Sequence, residues 1–127
     1  MSSWNMLRTV KSASELVTSV SRLTRLFPAE ERYVMVPMLR DIALTILENT
    51  ALGMARLEHG SRYIALANAI ASLNELVSRF TLIKAIADLS DEDLKDIKLK
   101  CDVLRHQLDV AVKNTEFVIT EPPNRYE

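Results

Sequence analysis

The sequence predicts an all-α fold, an antiparallel up-down four-helix bundle built as one domain, and three observations lead there. Apolar residues recur at alternating steps of three and four along four segments of the chain. Two glycines in 127 residues are too few for a string of hairpins or for a phosphate-cradling loop of the Rossmann or Walker kind. A composition of 48% hydrophobic and 26% charged residues is apolar enough to bury a core, unlike that of a disordered chain. The length suits a single core, so a two-domain enzyme with its own cofactor module is not expected.

Residues 1–11 carry no sustained period and read as a loose lead-in. Ser12-Ala13-Ser14-Glu15 has the form of a capping box, in which a Ser hydroxyl and a Glu carboxylate satisfy the free amides of a helix start. A first helix is therefore predicted over 13–26, with Leu16, Val20 and Leu23 on one face. Phe27-Pro28 ends it, because proline disfavours helical geometry in the residue before it. A long second helix is predicted over 28–57, with Glu30 and Glu31 at its positive end. Met35, Leu39, Ile42 and Ile46 form one seam on it, and Val36, Ala43, Leu47 and Met54 form a second beside the first. That face is broader than one small bundle covers, which implies packing against further copies of the chain. Pro37 is expected to kink this helix, and Gly60, after His59, to close it in a left-handed conformation.

The third helix is predicted over 61–88, with Tyr63, Leu66, Ile70, Leu73, Val77 and Phe80 as its seam and Ala65, Ala67, Ala69 and Ala71 permitting close approach. Ser90-Asp91-Glu92-Asp93 repeats the capping signal. It opens a fourth helix, 90–114, with Leu94, Ile97, Cys101, Leu104, Leu108 and Ala111 inward. Residues 115–127, with Pro122-Pro123, read as a tail.

Enzyme chemistry finds little support in the residues, and neither a metal nor a cofactor is expected. His59, between the second and third predicted helices, and His106, on the fourth, stand outside any spacing that would set two metal ligands on one face. Cys101 lies on an apolar seam and reads as a small buried hydrophobe. No uncharged run approaches the roughly 20 residues a membrane span needs, and no signal peptide is recognisable, so the chain reads as cytoplasmic. Net charge is −1, which gives no bulk attraction to nucleic acid, but the charge is uneven. Residues 1–62 hold eight Lys/Arg against six acids (8 − 6 = +2), and residues 63–127 hold eight against eleven (8 − 11 = −3). Arg22, Arg25, Arg32, Arg40, Arg56 and Arg62 are the candidate nucleic-acid contacts, since arginine engages phosphates bidentately. The alternative is a solvated face laced with i,i+4 ion pairs, and the scarcity of aromatics argues against base stacking.

The run Leu23-Thr24-Arg25-Leu26-Phe27-Pro28-Ala29-Glu30-Glu31-Arg32-Tyr33 resembles the F-P-x-x-E-R-[FY] segment of the bacterial four-helix-bundle proteins first described from intervening sequences in ribosomal RNA genes. Arg40, Ala43, Ile46, Asn49, Ala51 and Gly53 keep register with that family's R-R-A-A-x-S-I-x-x-N-I-A-E-G stretch, and Ala69 to Leu76, including Ser72 and Glu75, is similar to its A-x-G-S-L-x-E-L. The likeness covers about residues 16–112 and departs from the pattern at Asp41, Thr50 and Leu52. These departures bring the chain nearer Avd, the accessory variability determinant of diversity-generating retroelements, a branch of the same superfamily. The resemblance implies a homopentameric ring without catalysis. For the Avd branch it implies association with a reverse transcriptase and with RNA or DNA; for the other branch, a free-standing structural or ribosome-associated role. Phe27, Pro28, Glu31, Arg32, Tyr33, Asn49, Gly53, Ser72 and Glu75 are then structural motif positions, with Glu31 and Arg32 expected to ion-pair and fix helix packing.

Overall fold

The computed structural model describes residues 3–55 and 58–120. Four helices follow one another: α1 (Ser3–Thr24), α2 (Met35–Ala55), α3 (His59–Ile86) and α4 (Asp91–Thr120), with a 3-10 turn, Ala29–Glu31, after α1. α1 packs on α2 and α4, and α3 packs on the same two, so the helices occupy a square in chain order. Short connections make each helix antiparallel to the one before it. The α1–α2 and α3–α4 connections consequently share one end of the bundle. No helix among the described residues is long and apolar enough to cross a membrane.

One contiguous core fills the square, with Leu16, Val20 and Leu23 from α1, Leu39, Ile42 and Ile46 from α2, Leu66, Leu73, Leu76 and Phe80 from α3, and Leu94, Leu104 and Leu108 from α4. On α4 the predicted seam is buried throughout. On α3 it is rotated: Ala69, Leu76 and Ile83 join Leu66, Leu73 and Phe80 inside, whereas Val77 is 42% exposed and Tyr63 and Ile70 are half-buried. α3 is apolar on most of its circumference, so periodicity left its inward direction under-determined. Gly53 fixes where α2 and α3 approach most closely, since a Cβ there would stand 2.6 Å from Cδ2 of Leu66.

Helix ends depart from the sequence reading, each for a local reason. α1 begins at Ser3, ahead of the Ser12–Glu15 box; Ser12 instead donates to the Arg8 carbonyl at 3.0 Å within the helix. Its buried positions Thr9, Ala13, Leu16, Val20 and Leu23 show the period running upstream. α2 begins at Met35, not at 28, so Pro37 lies in its first turn, where a missing N–H leaves no carbonyl unpaired and supplies no cause for a kink. Gly60 sits in the first turn of α3 with no left-handed φ. The left-handed residue is Asp88 (φ 54°), where Leu89 N–H donates to the Lys84 carbonyl at 2.9 Å and closes α3 as a Schellman motif. Ser90 and Asp93 do form the predicted box: Asp93 N–H donates to Ser90 Oγ at 3.1 Å, and Ser90 N–H to Asp93 Oδ2 at 2.9 Å. α4 runs on to Thr120, past the predicted end at 114, and Thr115 keeps to the buried face. The predicted tail from 121 onward lies outside the described residues.

Candidate functional site

The site starts where α1 runs out. Thr24, its last residue, is buried, and its hydroxyl donates to the Val20 carbonyl at 2.8 Å. The same oxygen accepts from Arg40 Nε at 3.1 Å, and Arg40 Nη2 donates to the Ser21 carbonyl at 3.4 Å. Arg32, reached through the 3-10 turn, folds back in a similar way. Its Nε donates to the Phe27 carbonyl at 3.3 Å and its Nη2 to the Arg25 carbonyl at 3.5 Å. Carbonyls near a helix C-terminus lack backbone partners and carry partial negative charge, so two guanidinium groups are suited to closing α1.

Arg25, Arg32 and Arg40 thereby line one cleft of about 500 Å³, with Thr24, Val36, Pro37 and Asp41. None of the three forms an ion pair among the described residues. Hydroxyl and carbonyl oxygens orient a guanidinium without neutralising it, and each held group keeps further N–H donors. The arrangement is thus able to bind an anion. Tyr33, one residue beyond Arg32 in sequence, is 90% exposed and is not one of the residues that line the cleft.

The six candidate arginines do not share one surface. Arg22 points into a different groove, with Ser19, Leu26, Asp93 and Asp96. There the Asp96 carboxyl is held below the ordinary carboxylate range by its hydrogen bond from Lys100, then by that from Ser19, with the charge of Arg22 a smaller contribution. Arg62 lies on α3 toward the opposite end of the bundle. Arg56 lies outside the described residues.

The motif positions are divided between the core and the surface. Phe27 is 1% exposed, and Gly53 makes the close approach described above. Asn49 Nδ2 donates to the Thr45 carbonyl at 3.0 Å, Ser72 is half-buried, and Glu75 pairs with Arg79 at 3.2 Å. Pro28 precedes the 3-10 turn and caps it with an extended backbone. The expected Glu31–Arg32 ion pair is not formed, because Arg32 turns to backbone carbonyls and Glu31 stays in the 3-10 turn.

Elsewhere, Asn5, Arg8, Thr9, His106, Gln107 and Asn114 line a smaller groove of about 230 Å³ between α1 and α4, with one arginine rather than three. Cys101 is buried, and burial, with a smaller effect of Asp102, pushes its thiol up to about 12, so it stays protonated at neutral pH. Among the described residues no group of three His, Cys, Asp or Glu side chains is placed to hold a metal.

Comparison with curated proteins finds no match. Comparison with protein families does: residues 5–110 match the 23S rRNA-intervening sequence protein family, a span that takes in most of α1 and everything through the larger part of α4. The matched segment contains the Phe27-to-Tyr33 motif, the cleft and most of the packed square, and the chain belongs to the 23S rRNA-intervening sequence protein family.

Proposed function

We propose that this protein acts by binding rather than by catalysis, as an oligomeric member of its family that contacts RNA through the α1–α2 corner. The observation that carries this reading is the convergence of Arg25, Arg32 and Arg40 on one cleft in which Asp41 is the one carboxylate among the lining residues. Guanidinium groups match phosphate geometry, and the ribosomal RNA in the family's name is a polymer of phosphates. The high pKa of buried Cys101 supports a non-catalytic reading, since the thiolate needed for nucleophilic attack is disfavoured.

A homopentameric ring is the assembly we propose with it. Leu52, Ile64, Leu82, Ile86, Leu99 and Val103 are 46%, 62%, 73%, 59%, 63% and 47% exposed, which gives the outer faces of α2, α3 and α4 apolar surface for a neighbouring copy. Repetition of the corner around a ring adds weak contacts through avidity. An accessory role beside a reverse transcriptase would use the same corner and ring; it stands behind the ribosomal reading because the matched family is named for ribosomal RNA.

Fluorescence anisotropy with a ribosomal RNA fragment tests the reading. Arg25→Gln combined with Arg32→Gln is expected to weaken binding about tenfold or more, and added salt to weaken the parent steeply as condensed counterions are released. Arg22→Gln, beside Asp96, is expected to change affinity less than about twofold. Equal loss in both variants, or no binding by the parent at low salt, would sink the proposal. Light scattering tests the ring separately: a mass near 14.4 kDa, the monomer value, removes it.

A further inference from the structure

The cationic charge of the α1–α2 corner is concentrated at one point and does not run along a track. A surface that follows a nucleic-acid backbone sets cations at successive phosphates. Here the nearest further arginine along α1, Arg22, faces a groove lined by Asp93 and Asp96, and the rest of the cleft wall is Thr24, Val36 and Pro37. Three guanidinium groups against Asp41 leave a local charge of +2 (3 − 1 = 2). An internal phosphodiester carries a single negative charge, whereas a phosphomonoester carries about −1.5 to −2 at neutral pH and offers one more terminal oxygen. Two of the three guanidiniums are also fixed in advance, Arg40 by Thr24 and Ser21 and Arg32 by the Phe27 and Arg25 carbonyls, so little ordering is left for the ligand to impose.

We infer that this cleft is a site for a phosphomonoester, and that on RNA it takes the 5′-phosphorylated end of a single strand. The choice of RNA as carrier rests on the function proposed above; the phosphomonoester chemistry rests on the cleft alone. Arg40 and Arg32 supply the oriented donors, and Arg25 adds the third charge.

The test uses the full chain and a short single-stranded oligoribonucleotide labelled at its 3′ end, prepared with either a 5′-phosphate or a 5′-hydroxyl. Anisotropy is expected to show at least about tenfold tighter binding of the phosphorylated strand, with inorganic phosphate as a competitor. The preference should shrink between pH 7.5 and pH 5, because the monoester, with its second pKa near about 6, loses its second charge as the pH falls. Arg25→Gln should abolish the discrimination, while Lys11→Gln, exposed on α1 away from the cleft, should change nothing. Equal affinity for the two ends, with binding still dependent on Arg25, overturns the inference and leaves the RNA reading standing. Protection of the fold by inorganic phosphate through Arg25, with no binding of either strand, keeps the phosphomonoester site and removes RNA as its carrier. Absence of both responses overturns both.

Discussion

Two corners at the same end of the bundle handle charge in opposite ways. At the α3–α4 corner Asp91, Glu92 and Asp93 gather at the start of α4, and two of the three have hydrogen-bond donors there. Asp93 accepts from the Ser90 amide, Asp91 is hydrogen-bonded by Lys84, and all three face the positive end of the helix dipole. At the α1–α2 corner Arg32 and Arg40 are held as firmly, but by carbonyls and a hydroxyl. A carboxylate bound by an ammonium group loses most of its field, whereas a guanidinium bound by a carbonyl keeps nearly all of its own apart from the partial charge of the α1 terminus. A charged corner is therefore available for binding according to what holds its side chains, and the number of charges alone does not decide it.

The largest expected effect breaks the comparison altogether. Gly53→Ala places a Cβ against Leu66 where α2 and α3 are closest. Overpacking of this kind costs about 1–3 kcal/mol, so the urea midpoint should fall and both corners should lose their properties together. Ser90→Ala sharpens it. Removing the cap of α4 should cost about 1 kcal/mol while leaving phosphate and RNA binding at the other corner unchanged, measured by urea unfolding and anisotropy on one preparation.

A gain of similar size is expected toward the other end of the bundle. The Thr50 hydroxyl is buried without a hydrogen-bond partner, so Thr50→Val should raise stability by up to about 1 kcal/mol in the same urea assay. The smallest effect is in acid. The Asp91 carboxyl lies below its ordinary value of 3.8 because of its hydrogen bond and attraction to Lys84, and Asp96 is lowered through Lys100 and Ser19. A carboxyl whose folded pKa is depressed contributes stability that is complete above the unfolded value and lost as pH falls through the folded one. The melting temperature should therefore drop below about pH 4, and Asp96→Asn should flatten part of that slope.

The residues that made the fold legible and those that made the site differ in kind. Four helices, their order and the α4 seam follow from apolar steps of three and four, and the α4 cap from Ser90 and Asp93, because each interaction spans a turn or less of chain. The same locality misled at Ser12, whose box-like neighbours lie inside a helix that was already running, and at Asp88, which takes a left-handed conformation more usual for glycine. Met6, Thr9 and Val10 carried the upstream period of α1, weakened by a polar residue at a core position.

By itself, then, the sequence determined a helical bundle and a cationic first half, since backbone periodicity and charge counts are local or additive. Tertiary structure alone decided that three of the six arginines line one cleft, that Arg22 does not join them, and that Arg32 turns from Glu31 to backbone carbonyls. Thr24 and Arg40 meet across the antiparallel contact of α1 with α2, and no spacing rule links residues so far apart in sequence. Whether a guanidinium keeps its charge for a ligand depends on which oxygen atoms the packing of two helix ends brings within hydrogen-bond reach.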